Sequence, residues 1–509
     1  MSALARLVLA FAAAAAAAAP PVAPILPLRW HLNPPCWTND PSLLFTPATG
    51  LWHNYYQAPV AANQYPPWSP QGGGTEVWRH ATTRDFASWR DEGPLNVTRG
   101  QGTGSLLALN ASLFLRAFYG YGGISVGAAA DAGAAQWVDL PPFPRAAPPQ
   151  GPGNSFIGDP FLYYDSARSE YALLVASCLG GSDYASCKTP RVLKYAAADA
   201  LRGSFTLLGA YFTGPDATGI RPECPRAWAF PGADLLVYSS TLQGRSLWFL
   251  GRASRAAFAP AASGQLDAGA LYAAHLSPPA GQGWGGPEAL MVGWVHEARP
   301  ESAAVPWFNT MSAPRSLRAA ADALRLSSAP APAVAALRGA LLWQGNVSQR
   351  ASGAFALPPS AAGASLWVEA ELLAWAPCAA RSGGGAPGAG GAWGLRVLAA
   401  PGGQEATHVY LNGTQALVAD ASGASLDPAM GRAVYVARAG ASSQGLRGLT
   451  LLVDTSLVEA FGHSDVAGEV VATLRAYPTR SDSTGVGVTA VLPQGAPGVC
   501  VGVRVWGMP

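Results

Sequence analysis

Charge is scarce in this chain. Of its 509 residues only 12% are Asp, Glu, Lys or Arg, and the formal net charge is +2. So thin a balance supplies no basic field for nucleic acid and no acidic tail. There is no CxxC pair and no pair of histidines at ligand spacing, which argues against a metal site. Beyond the N-terminal leader, no apolar run is long enough to cross a membrane. Helical periodicity is nearly absent; residues 316–326, rich in Ala, Leu and Arg, form the one stretch that predicts a helix.

What is present is a strand-and-turn texture. Short apolar or aromatic runs such as Phe161-Leu-Tyr-Tyr, Leu235-Leu-Val-Tyr and Leu247-Trp-Phe-Leu are bounded by Gly, Pro, Asn and Asp. The length exceeds what one core usually serves, so two domains are expected. A weak repeat organises the first part. Residues 78–89, 125–137 and 193–205 each read as a strand, a turn with Asp, and an aromatic opening the next strand. Unequal spacing on a shared unit is the mark of propeller blades. After about residue 346 the texture becomes alternating short strands, as in a β-sandwich.

Residues 1–23 carry one Arg, an apolar core and an alanine run, which reads as a signal peptide. Together with sequons at Asn96, Asn110, Asn346 and Asn412, this leader predicts secretion to the exterior or to a vacuole, with no membrane segment in the mature form. Six cysteines follow. Cys178 with Cys187 can close a small loop, Cys378 with Cys500 can tie the C-terminal region, and Cys36 and Cys224 read as buried free thiols.

Three carboxylates recur ahead of opening strands. Asp40 and Asp159 each precede a proline directly, and Glu223 stands two residues before one. At equivalent ends of innermost blade strands they would meet at one mouth of the propeller axis, and the expectation is that all three hold one repeat position. The plainer alternative is that each Asp-Pro only initiates a turn. Gly123-Ile-Ser-Val-Gly127 fits GxSxG and so raises a serine hydrolase, although that motif needs a strand, an elbow and a helix.

Several stretches then resemble, in order, the motifs of family 32 of the glycoside hydrolases, which comprises invertases, fructan hydrolases and fructosyltransferases. Trp37-Thr-Asn-Asp-Pro-Ser is similar to WMNDPNG, His53-Asn-Tyr-Tyr-Gln to HLFYQ, and Gly102-Thr-Gly-Ser to FSGS. Gly158-Asp-Pro is similar to RDP and Arg221-Pro-Glu-Cys-Pro to WECPD. Later segments continue the series: Asp267-Ala-Gly-Ala-Leu-Tyr-Ala, Gly293-Trp-Val-His-Glu, Met311-Ser-Ala-Pro-Arg and Asp454-Thr-Ser-Leu-Val-Glu-Ala-Phe.

The resemblance implies an all-β protein, a five-bladed β-propeller over 28–340 followed by a β-sandwich over 346–509. It implies a retaining hydrolase of terminal β-D-fructofuranosyl units from sucrose or fructans, with no cofactor and no metal. Asp40 would be the nucleophile, Glu223 the acid/base and Asp159 the transition-state stabiliser. Trp37, Asn39, Gln57, Trp68, Gly102, Thr103 and Gly158 would bind substrate. Trp37 and Trp294 read equally as a sugar-facing wall or as core aromatics. The chain departs from the family at Gly158 (Arg in the family), Ser42-Leu43 (Asn-Gly), Gly102 (Phe) and Arg226 (Asp). A fructosyltransferase and a non-catalytic sugar-binding propeller are the alternatives.

Overall fold

The computed structural model describes residues 25–34, 36–59, 76–95, 101–120, 123–131, 133, 136–140, 154–179, 189–202, 205–214, 222–241, 244–300, 307–320, 325–378, 391–413, 416–438, 445–463, 470–492 and 495–509. The expected leader, Trp68 and Cys187 lie outside them.

Among the described residues the N-terminal domain holds five antiparallel sheets, four of four strands and one of five. Sheet I spans residues 39–94, II 101–139, III 154–213, IV 222–265 and V 271–330. Their first strands are Asn39–Thr46, Gln101–Ala108, Asn154–Asp165, Pro222–Phe230 and Leu271–Ser277. Each first strand contacts the next, and the fifth returns to the first, so the five close a ring. A strand covered by neighbouring sheets on both faces needs apolar residues throughout, as in Leu271–Ser277, which is buried along its whole length. The outermost strands, such as Arg90–Pro94 and Phe258–Gln265, are largely exposed and polar or small. The repeat found in the sequence has one place here: its three copies run from third to fourth strand of sheets I, II and III.

The described part of the stretch expected to be helical is not a helix: residues 316–319 and Leu326 belong to the paired strands Arg315–Ala319 and Leu326–Pro330 of sheet V, and 321–324 lie outside the described residues. Ladder bonds to Ala289–Val295 and burial of Leu317 outweigh the local helix preference of Ala, Leu and Arg. The GxSxG stretch lies within the strand Gly123–Ala129, paired on both sides in sheet II and followed by its partner strand Trp137–Asp139, with no helix between them among the described residues, so the nucleophile-elbow reading fails.

The C-terminal domain is a sandwich of two six-stranded antiparallel sheets. Val368, Leu395, Val409, Leu451, Val488 and Val501 fill the space between them. Cys378 and Cys500 are disulfide-bonded, Cys178 also takes part in a disulfide, and Cys36 and Cys224 are free and buried.

A buried ionic network locks the two domains together. The His31 ring nitrogens meet Asp454 at 2.9 Å and Glu459 at 3.0 Å. From sheet V, the Arg315 guanidinium donates to Glu459 at 2.6 Å and to Asp267 at 2.8 Å. Asp267 also accepts the Thr473 hydroxyl at 2.7 Å. The backbone joins in: Ala268 N–H donates to Val471 O and Ala270 N–H to Thr473 O. Between them Gly269 is a close approach, since a Cβ there would stand 1.9 Å from the Thr473 carbonyl oxygen.

Burial opposes charging of His31, but Asp454 and Glu459 outweigh it and raise its pKa. A raised folded-state pKa contributes stability that is complete below the unfolded value, about 6.5, and is lost as pH rises through the folded value. His31→Leu should therefore cost about 3 kcal/mol or more, because two buried carboxylates lose a partner. In thermal unfolding, the deficit relative to the unsubstituted protein should be widest near pH 6 and narrow as pH rises. A deficit independent of pH would contradict the assignment.

Candidate active site

Every inner strand carries a β-bulge at the same place. In sheet I, Asp40 and Pro41 together oppose the single residue Tyr56; in sheet III, Asp159 and Pro160 oppose Val175; in sheet IV, Cys224 and Pro225 oppose Tyr238. Gly102 with Thr103, and Ala273 with Ala274, hold the corresponding places in sheets II and V. Proline suits such a site because it has no N–H to give to a ladder. In four of the five sheets the first bulge residue takes the left-handed conformation, with φ of 39° at Asp40, 52° at Asp159, 49° at Cys224 and 46° at Ala273. For non-glycine residues this is costly and is retained where the surrounding structure imposes it.

The bulges show that two acids, not three, share a repeat position. Asp40 and Asp159 are both first bulge residues, whereas Glu223 precedes its bulge and aligns with Asn39, Gly158 and Tyr272. The offset is written in the distance to the proline: Pro41, Pro160 and Pro225 are all second bulge residues, and Glu223 stands two before its proline where each Asp stands one before. The three acids nevertheless converge at one mouth of the ring, where Asp40 and Glu223 each feel the charge of Asp159.

Each acid has its own hydrogen-bond partner. The Thr103 hydroxyl donates to Asp40 Oδ2, and Gln57 Nε2 donates to Thr103 Oγ1 at 3.5 Å. Cys224 N–H donates to Asp159 Oδ2 at 3.1 Å. The Tyr272 hydroxyl donates to Glu223 Oε2 at 2.6 Å.

Beneath the acids lies Arg226, fully buried. It donates to the carbonyls of Pro225 at 2.9 Å and Gly104 at 3.2 Å and sits 5.1 Å from the Phe161 ring centre. At position 158 a buried glycine offers no side chain to Asp159. The cation at these carboxylates thus comes from the neighbouring sheet.

Burial, then the Asp159 charge, pushes Asp40 up to about 7, against the pull of the Thr103 hydroxyl and the Arg226 charge. Burial and Asp159 also raise Glu223, to about 8, against the pull of the Tyr272 hydroxyl. One carboxyl is therefore better supported as an anion and the other as an acid.

Of the remaining expected residues, Asn39 is buried opposite Gln57, and its Oδ1 has no hydrogen-bond partner among the described residues. Gly102 accepts the Trp78 indole N–H at 2.9 Å through its carbonyl. Trp37 and Trp294 pack with ring centres 6.2 Å apart, and Trp294 lies 5.9 Å from Tyr272. They are buried aromatics at the edge of the site, which joins the two earlier readings. Sequence reasoning assigned no role to Tyr272 and overlooked Glu76, a half-buried carboxyl that also feels Asp40. An isolated acid at the head of the Val77-Trp78 strand was the available signal.

Paired, differently supported carboxyls at one mouth are what glycosyl hydrolysis requires. Residues 31–330 match the glycosyl hydrolases family 32 N-terminal domain and residues 337–506 the family 32 C-terminal domain. The chain belongs to glycosyl hydrolase family 32. No curated protein matches it in sequence.

Among solved structures it is similar to fructan 1-exohydrolase IIa from Cichorium intybus, at TM-score 0.76 and 18% identity over 96% of this chain and 98% of that one. It is also similar to exo-inulinase from Aspergillus awamori, at TM-score 0.70 and 17% identity over 95% and 98%. A third is a Bombyx mori beta-fructofuranosidase in complex with sucrose, at TM-score 0.67 and 15% identity over 96% and 95%. The Cichorium enzyme has also been solved with 1-kestose.

Arg226 generates a prediction about pH. Its charge holds Asp40 down, so Arg226→Met should raise the Asp40 pKa. The acidic limb of activity should then move to higher pH by at least about one pH unit. An unshifted limb in an otherwise folded variant would show that Arg226 does not act on Asp40.

Proposed function

We propose that the protein is a retaining β-fructofuranosidase, releasing terminal fructosyl units from sucrose or fructans. The observation that carries this reading is the pairing of Asp40, supported by Thr103 and Arg226, with Glu223, capped by Tyr272, at one mouth. The sucrose and 1-kestose complexes of two structural neighbours support the choice of sugar.

In the first step Asp40 attacks the fructosyl C2, the bond from C2 to the leaving oxygen breaks, and Glu223 gives that oxygen its proton. In the second step Glu223 takes a proton from water, and the water oxygen attacks C2 and frees Asp40. Two inversions give retention. Asp159, held by the Cys224 N–H, accepts from ring hydroxyls and faces the positive charge that develops on the ring. Asn39 and Gln57 supply further amides for hydroxyls, and Trp37 an apolar wall. Trp68 belongs to this set by its motif position alone.

The test is fructose release from sucrose, inulin and levan. Asp40→Ala should abolish it, and Glu223→Gln should lower it by about 100- to 10,000-fold. No release by the unsubstituted protein from any of the three sugars would overturn the reading.

Activity needs Asp40 ionised and Glu223 protonated. It should rise as pH passes about 7 and fall as pH passes about 8. Measured as kcat/KM against pH, the alkaline limb should disappear in Glu223→Gln.

We also place the protein in the secretory pathway, on the leader and on sequons of which Asn110 and Asn346 are exposed. A fall in mass on endoglycosidase treatment of protein from its own host is the expected result, and an unchanged mass would argue against it.

A further inference from the structure

Glu76 has no role in the mechanism above, yet it is built into the same pocket. It opens the strand Glu76–Thr83, where Trp78 stands opposite Gln57 and Glu76 opposite Pro59. Gln57 in turn stands opposite Asn39, the residue before Asp40. Strand alternation puts Glu76 on the same face as Trp78 and opposite to Val77 and Arg79. That face packs toward sheet II, with Trp78 buried beside Leu44, Tyr55 and Phe118, and its outer end borders the acids: Trp78 bonds to Gly102 O, and Gln57 reaches Thr103, which bonds to Asp40. Glu76 is one step further out, where the sheet extends past the start of its innermost strand.

Among the described residues, packing does not account for this carboxyl. Its Oε1 is shut off from solvent and has no hydrogen-bond partner among the described residues. The nearest cation along its strand, Arg79, lies on the other face and is paired with Asp91 at 2.8 Å. A buried polar oxygen without a partner is unfavourable, and such atoms in native proteins usually have a ligand, water or function to explain them. Burial, then the Asp40 charge, raises the Glu76 pKa to about 8. At neutral pH the group therefore keeps its proton and offers both an O–H donor and a carbonyl acceptor. A sugar hydroxyl, itself donor and acceptor, matches that pair.

We propose that Glu76 is a further sugar-contacting residue of this pocket, whose carboxyl hydrogen-bonds a hydroxyl of the fructosyl unit held at Asp40. The inference rests on the fructosidase reading of the site and adds to it a residue that determines affinity for the fructosyl ring. Because that ring is common to sucrose, 1-kestose and inulin, losing the contact should affect all three alike.

The experiment compares the unsubstituted protein with Glu76→Leu and Glu76→Gln on these three sugars, with thermal unfolding of each variant as the folding control. Glu76→Leu should raise KM by about tenfold or more on every substrate and leave kcat within a few-fold, because a buried hydroxyl loses its partner. Glu76→Gln, which keeps a donor and an acceptor, should stay within about threefold of the unsubstituted protein. An unchanged KM in Glu76→Leu would overturn the proposal, as would Glu76→Gln failing equally, or a change confined to one leaving group. If the unsubstituted protein turns over none of the sugars, the fructosidase reading fails by itself. Fructose affinity by calorimetry then decides on Glu76: weakened in Glu76→Leu and kept in Glu76→Gln if the contact exists, equal in all three if it does not.

Discussion

Three carboxylates share one buried mouth, and the rest of the structure answers to that crowding. Like charges at close range inside a protein raise one another's pKa, and burial adds to the effect. Left alone, Asp40 would be held in its protonated form and offer no nucleophile. The Thr103 hydroxyl and Arg226 are the counterweights. Arg226 reaches the acids from beneath, fixed by two backbone carbonyls and the Phe161 ring, and its charge lowers Asp40. With glycine at 158, the cation and Asp159 are supplied by different sheets, so their alignment depends on how the sheets sit in the ring.

The sandwich contributes to that alignment. Asp267, Gly269 and Arg315 of the propeller engage Thr473 and Glu459 of the sandwich, and Asp454 and Glu459 close on His31 just ahead of sheet I. Four residues beyond the Ala268 backbone contact comes Tyr272, whose hydroxyl holds Glu223. The second domain thus braces the strand that orients the acid. Its family motif, Asp454 to Phe461, belongs to this brace rather than to the chemistry.

Much of this was legible before any coordinates. Asp-Pro at the head of an apolar run marked two of the bulges, and the strand-turn-aromatic repeat marked the third-to-fourth strand connections of three sheets. What stayed hidden depended on register. Glu223 looked equivalent to the two aspartates because a difference of one residue before the proline was taken as variation, whereas at a bulge that one residue separates two distinct positions. Residues 316–326 looked helical because local propensity favoured it, and only pairing within sheet V overrides it. Arg226 read as a departure from a motif, while its function is set by the strand it faces. Glu76 stood unremarked because its neighbour Asp40 is distant in sequence.

The account depends most on Asp40 acting as the nucleophile. The direct measurement is mass spectrometry of Glu223→Gln protein quenched during turnover of an activated fructoside, one whose leaving group departs without acid assistance. The account predicts one hexosyl adduct, on the peptide containing Asp40. An adduct on another residue, or product formed with inverted configuration at C2, would contradict it.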